Sequence, residues 1–305
     1  MPVLQIENLQ IAYPGANGPL VVADDIDIQI DAGESMGVLG ESGCGKTSIA
    51  LGIMRLLPHQ ARLKGQIRLK GQNLLSLPDH DMRKIRGQQI AMIFEQPATC
   101  LNPVMTVGDQ ISEVFEFHAA YSPKASRRET IELMGRLGID APEKRYRHYP
   151  HEFSGGMMQR VMIAMAMALK PALLIADEPT TALDVTIKAQ IVQALKDAID
   201  RTNTSLLLIS HDLGITAHLC DRVAVMHGGL IVEVGSRRQI LSTPRHPYTR
   251  AILDAVRGKE DQLIDQDVSR LSKGCQFYPR CPERQSVCQK TAPAIRNGVR
   301  CFFAN

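Results

Sequence analysis

Apolar and polar residues alternate along residues 3–10 and again along 26–30, where Ile26, Ile28 and Ile30 share one face. A period of two predicts strands with one buried face. Asp31-Ala32-Gly33-Glu34 predicts a turn into the apolar run Ser35-Met36-Gly37-Val38-Leu39. Residues 65–69 and 90–94 read as further strands. From Asn102 to about His151 the period changes: residues 107–111 and 127–137 have helical spacing, with Ser126 as the expected N-cap. A helical insertion in an α/β domain, spanning about residues 98–153, accounts for that change. A helix is expected from near Gly155 through residues 160–169, a fully buried parallel strand at 172–177 and a helix at 186–199. A buried strand at 206–210 follows, then a hairpin of 223–227 and 230–234 around Gly228-Gly229. After Gly258 the composition turns polar, and 259–272 reads as a linker. The expected organisation is one α/β domain over 1–258 and a short extension over 259–305, with no internal repeat.

Gly40-Glu41-Ser42-Gly43-Cys44-Gly45-Lys46-Thr47 fits the phosphate-loop pattern G-x-x-x-x-G-K-[ST]. It stands between the apolar run 35–39 and the helix-compatible Ser48-Ile49-Ala50-Leu51, the strand–loop–helix context the motif requires. Gly40, Gly43 and Gly45 let the backbone turn sharply, so that the N–H groups of Ser42, Cys44 and their neighbours face phosphate oxygens. The helix start adds roughly half a positive charge. Lys46 is expected to reach the β- and γ-phosphates, and the Thr47 hydroxyl to hold Mg²⁺. The chain is therefore expected to bind a nucleoside triphosphate, and a single such loop is present.

Composition narrows the class. The 305 residues are 44% hydrophobic, enough for a sizeable core. The net charge of +3 is too small for a broad nucleic-acid-binding face. No apolar run approaches the ~18–20 residues of a membrane span. The first residues, Met1-Pro2-Val3-Leu4-Gln5-Ile6-Glu7, lack the pattern of a signal peptide, so a cytoplasmic location is expected.

Two further stretches carry chemistry. Leu173-Leu174-Ile175-Ala176-Asp177-Glu178 is an apolar strand ending in two carboxylates. Beside a phosphate loop, Asp177 is expected to order Mg²⁺ water and Glu178 to act as general base or to orient the attacking water. Ser154-Gly155-Gly156-Met157 lies before a helix and forms a second anion-binding helix start. One nucleotide per chain does not need two such starts. The economical arrangement is a dimer in which this loop caps the γ-phosphate held by the other subunit.

Taken together, these motifs resemble the ATPase subunits of ABC transporters over roughly residues 3–253. Gly40–Thr47 matches the Walker A loop, Ser154–Met157 the signature loop and Ile175–Glu178 Walker B. The resemblance implies a P-loop ABC ATPase fold: a RecA-like α/β core with an antiparallel β subdomain and a helical subdomain. It further implies that Tyr13 stacks on adenine, that His211 contacts the γ-phosphate, and that Asp184, in the D-loop-like Ala182-Leu183-Asp184, couples two nucleotide sites. One departure stands out. The family's Q-loop reads Phe-Gln-acid/Asn-Pro, whereas this chain reads Phe94-Glu95-Gln96-Pro97. Either Glu95 occupies the place of the Mg²⁺-touching glutamine, or a small backbone shift lets Gln96 serve. Met157 is a milder departure, since many members carry glutamine there.

Pro244-Arg245-His246-Pro247-Tyr248-Thr249 resembles a segment of the oligopeptide, dipeptide and nickel importer ATPases, and so does Pro279-Arg280-Cys281-Pro282. That branch implies a second, distinct ATPase as partner, two permease subunits, a substrate-binding protein, and a peripheral site on the cytoplasmic face of the inner membrane. Basic residues Arg127, Arg128, Arg136, Lys144, Arg145 and Arg147 form either a solvated face or a contact with permease loops. The alternative reading is a soluble ATPase acting on nucleic acid or ribosomes.

Seven cysteines are present. Cys44, Cys100 and Cys220 are scattered, as small buried hydrophobes are. Cys275, Cys281, Cys288 and Cys301 crowd the end of the chain; their spacing lacks the tight pairs of common zinc sites and leaves metal ligation and plain thiols both open. Resemblance to the importer branch implies a [4Fe–4S] cluster there, as a staple for a short tail poor in apolar residues.

Overall fold

The strand Pro2–Tyr13 keeps its apolar alternation only by changing phase. Leu4 and Ile6 are buried, and then Leu9 and Ile11, because a bulge between Glu7 and Gln10 adds a residue and Asn8 takes a left-handed φ of 50°. The expected strand 3–10 is thus longer than its simple alternation. Residues 2–16, 18–181, 183–258 and 273–304 are described in the computed structural model. They form two units, one comprising Leu4–Gln29, Ser35–Leu69 and Ile209–Asn305, the other Met1–Val3, Ile30–Glu34 and Lys70–Leu208. The expected linker 259–272 lies outside the described residues.

In the first unit, Pro2–Tyr13 lies between Leu20–Asp31 and Arg62–Leu69, pairing antiparallel with the latter through Leu4↔Leu69 and Ile6↔Ile67. The strand Ser35–Leu39 is buried throughout and runs parallel to Arg222–His227, with Met36 opposite Arg222 and Leu39 opposite Val225. Arg222–His227 turns back antiparallel into Leu230–Ser236 at the expected hairpin. The extension is laid along that last strand. Val234 N–H donates to Gly298 C=O at 2.7 Å and Arg300 N–H to Val232 C=O at 2.8 Å. The buried Arg300 guanidinium bonds Ile231 C=O at 2.9 Å and the Asp25 carboxylate at 2.8 Å.

In the second unit, Ile90–Ile93 runs parallel to Leu173–Asp177, a strand buried on both faces as its unbroken apolar run requires. The helical insertion is present as Val107–Ala119, Pro123–Arg136 and Pro142–Arg145. Its interior carries a chain of hydroxyls: Ser112 lies 3.0 Å from Thr130 and 2.9 Å from Tyr146. The second of these helices starts earlier than expected. Ser122, not Ser126, is the N-cap, and Pro123 occupies the first turn, where its missing N–H costs nothing. Ser126 is buried instead, donating to Glu116 at 2.5 Å. Helices Gly155–Met167 and Val185–Thr202 follow, the latter burying Ile191, Val192, Leu195 and Ile199. No helix among the described residues is long and apolar enough to cross a membrane.

Candidate nucleotide site

Strand Ser35–Leu39 delivers the chain into the loop 40–45, and helix Lys46–Met54 leaves it. Gly45 has φ 107°, and a Cβ there would stand 2.2 Å from the Val22 carbonyl oxygen, so only glycine fits. The Lys46 ammonium is buried and folds over the loop, donating to Gly40 C=O at 2.7 Å and Glu41 C=O at 2.8 Å. Ser42 and Gly43 at the loop tip are exposed, as is Thr47. Cys44 is buried under the loop; burial pushes its thiol pKa up, against the pull of Lys46. Tyr13 is half-buried, with its hydroxyl 3.1 Å from Ser48 Oγ in the first turn of the helix. His211 is exposed and directly follows the buried strand Ser205–Ser210.

The loop is also held from below. Glu41 N–H donates to the Tyr248 hydroxyl at 3.3 Å, and a single Arg280 nitrogen, Nη2, donates to both oxygens of the Glu41 carboxylate at 3.0 and 3.1 Å. Phe277 is 2% exposed and packs edge-on to His227 and Tyr248, with centroids 5.5 and 5.3 Å away. Burial first, and Arg280 next, push the His227 imidazole pKa down to about 4. Tyr248 and Arg280 stand in the two segments that sequence reasoning used only to narrow the family. A hydroxyl and a guanidinium in otherwise structural stretches were the signal to look further.

The second unit carries the other predicted groups. Asp177 is buried at the tip of its strand. Glu178 is half-buried and sits at φ 48°, a left-handed conformation that favours glycine, and its carbonyl accepts Thr181 N–H at 3.2 Å. Ser154 caps helix Gly155–Met167 by accepting Met157 N–H, and both Ser154 and Gly155 are exposed. Gly156 is buried, and a Cβ there would stand 2.5 Å from Ile187 Cγ2. Asp184 caps the next helix, accepting Ile187 N–H at 3.0 Å. The Ser154–Gly156 turn and the Asp184 turn are therefore neighbours. Ala182 of the expected D-loop lies outside the described residues. Glu95 and Gln96 are both exposed after strand Ile90–Ile93, and Gln96 C=O receives Thr99 N–H at 3.2 Å.

Of the scattered cysteines, Cys44 and Cys220 are buried as expected, but Cys100 is exposed in the short helix Pro97–Cys100. The clustered ones gather in the extension. Cys275 N–H donates to Cys288 C=O at 2.7 Å. Burial, and then the other three thiols, push the Cys275 pKa up to about 11. All four are free thiols. Among the described residues no group of three or more His, Cys, Asp or Glu is placed to hold a metal ion. The expected [4Fe–4S] cluster thus finds no support in this arrangement.

Comparison with known proteins decides the family. The ABC transporter family profile matches residues 23–181, and the oligopeptide/dipeptide transporter C-terminal region matches 232–288. The chain belongs to the ABC transporter family. It is 44% identical over 301 residues to the dipeptide transport ATP-binding protein DppD of Bacillus subtilis, covering 95% of this chain and 90% of that one. It is 40% identical over 299 residues to the oligopeptide transport ATP-binding protein OppD of Escherichia coli, covering 95% and 89%. The fold matches the dimeric ATP-binding cassette MJ0796, solved in a post-hydrolysis state with ADP and Pi, at TM-score 0.69 and 24% identity, over 77% of this chain and 99% of that one. This is the P-loop ABC ATPase fold that the motifs implied. The relatives are transport proteins, which goes against a soluble ATPase acting on nucleic acid or ribosomes.

Proposed function

We propose that this ABC family member is the ATP-hydrolysing subunit of an importer for peptides or related small solutes. The observation that carries the reading is the glycine-lined loop with Lys46 seated on it, in a chain matched along nearly its whole length by peptide-transport ATP-binding proteins. Residues 1–258 form the ATPase domain and 259–305 the extension.

Each residue then has a task. The loop N–H groups and Lys46 bind and orient the phosphates. Tyr13 stacks on adenine from its anchor on Ser48. Bound Mg²⁺, held by Thr47, Asp177 and either Glu95 or Gln96, would supply charge neutralisation at the β- and γ-phosphates. Glu178 takes a proton from, or orients, the attacking water, and His211 contacts the γ-phosphate. Exposed Ser154 and Gly155 present N–H groups to the nucleotide of a second subunit, and Asp184 couples the two sites. The partners are a second ATPase, two permeases and a substrate-binding protein, on the inner face of the membrane. The thiols of Cys275, Cys281, Cys288 and Cys301 are the donor type an iron–sulfur cluster uses, but among the described residues they are not gathered into a group that could hold a metal ion. No step of hydrolysis runs through them, and iron analysis of anaerobically purified protein tests the cluster: colourless, iron-free protein removes it.

Co-expression with the neighbouring permeases, followed by reconstitution in liposomes, tests the whole. Mg²⁺-dependent ATP hydrolysis stimulated by peptide-loaded binding protein is expected. Absence of Mg²⁺-dependent ATP affinity even in that complex would overturn the reading.

A further inference from the structure

A carboxylate inside a phosphate loop works against the loop's task. Glu41 is the second residue of the motif. It lines a cleft of about 250 Å³ together with Ser42, Gly43 and Cys44, and its own carbonyl is one of the two that hold Lys46. An unneutralised charge there lies well within a Debye length of any phosphate on the same N–H groups and repels it. The structure answers with Arg280. Its side chain is only 10% exposed, and its Nη2 donates to both Glu41 oxygens at 3.0 and 3.1 Å. It is braced over the Phe277 ring at 5.5 Å. The two residues are 239 positions apart in sequence. Lys46 contacts the Glu41 carbonyl, and His227 Nδ1 stands 3.8 Å from the Glu41 carboxylate, beyond hydrogen-bond range. Arg280 lies on the segment bracketed by Cys275 and Cys281, and Gln276 of the same segment lies against Gly228 on the wall of the cleft.

We propose that Arg280 is a positioning residue for nucleotide binding: it neutralises Glu41 and holds the phosphate loop, so that the cysteine-bracketed segment of the extension sets the affinity for ATP. The inference rests on the loop binding ATP as proposed above. It assigns the extension a share in that site that a purely structural staple would not have.

The sign of the charge gives the test. MgATP binding to the full-length chain is measured by calorimetry at low and high salt, and unfolding midpoints without nucleotide are recorded for every variant. Arg280→Ala exposes the Glu41 charge and should weaken MgATP by roughly 2- to 30-fold. The loss should shrink at high salt. Glu41→Gln alone leaves Arg280 as an added positive charge at the loop and should bind MgATP as tightly as wild type or tighter. The pair Glu41→Gln with Arg280→Ala should recover most of the lost affinity, which a merely structural contact would not do. If Arg280→Ala fails to fold, Glu41→Gln decides alone, and weakened binding in it overturns the proposal. Equal affinity in wild type and folded Arg280→Ala, or no recovery in the double variant, also overturns it while leaving the ATPase reading intact. A wild-type chain that binds no MgATP removes both.

Discussion

His246 gives the extension's anchor a pH dependence whose sign and size follow from its contacts. It caps helix Pro247–Val256, its Nδ1 accepting Tyr248 N–H at 3.0 Å. A nitrogen that accepts cannot carry a proton, so the ring hydrogen is on Nε2, which is buried and faces the Arg300 backbone. The Glu233 carboxylate nearby is engaged by the backbone N–H groups of Arg245 and His246, at 2.8 and 3.0 Å. Burial first, then the neighbouring His227 and Arg250, lower the imidazole pKa from 6.5 to about 3. The unfolded chain therefore holds a proton between those values that the folded chain does not. Stability from this group is complete above pH 6.5 and is lost as pH falls towards 3. At pH 5.0 the unfolded ring has gained about 1.5 units of protonation free energy, or about 2 kcal/mol. His246→Asn keeps a capping acceptor and does not titrate. The chain has no tryptophan, so urea unfolding can be followed by tyrosine emission at pH 7.5 and 5.0. Wild type should lose about 2 kcal/mol more than His246→Asn between the two values. Equal acid losses would refute the assignment of a neutral, proton-refusing cap.

Four further outcomes are expected. Glu178→Gln should keep MgATP affinity and lose about 10²- to 10⁴-fold in phosphate release; parental turnover would remove the general-base role. Gly45→Ala places a Cβ 2.2 Å from Val22 C=O at φ 107°, so MgATP binding by calorimetry should collapse, and unchanged affinity would contradict the close approach. Gly156→Ala meets Ile187 Cγ2 at 2.5 Å and should cost about 1–3 kcal/mol in urea unfolding, much of it recovered when Ile187→Ala is added. Glu233→Ala strands the N–H groups of Arg245 and His246 and should cost about 1–3 kcal/mol for each donor left buried; a thermal midpoint within error of wild type would show that water replaces the carboxylate.

What could be read from the chain was chemistry carried by contiguous residues. Gly40–Thr47, Ser154–Met157 and Leu173–Glu178 announce themselves because a turn, a helix start and a buried strand ending in paired carboxylates each need particular residues at short spacing. The structure sets them on the expected elements: a buried strand before the first loop, a capped helix after the second, a left-handed residue at the end of the third. Local competition between signals was harder to see. Both Ser122 and Ser126 are good caps, and the choice fell to Ser122 because Pro123 suits the first helical turn. The phase change at Asn8 needed the partner strand to exist before the bulge had meaning.

Least legible were the contacts that close over long stretches of chain. Tyr248 reaches Glu41 across 207 residues, Arg280 across 239, and Arg300 reaches Asp25 across 275. Each is individually an ordinary polar residue in an irregular segment, and no periodicity marks it. Their common cause is the strand Leu230–Ser236. It carries the buried Glu233 that fixes Arg245 and His246, and its other contacts take up Gly298 and Arg300. Once that strand has captured both segments, Tyr248 and Phe277 share one aromatic cluster beneath the phosphate loop, and Arg280 pairs with Glu41. The His-Pro-Tyr segment and the cysteine-bearing extension thus act as one support rather than two appendages. Glu178 follows the opposite logic. Its left-handed backbone costs on the order of 1–3 kcal/mol that a glycine would avoid. Local preference would favour glycine there, and the carboxylate is what the general-base task proposed above needs from that position.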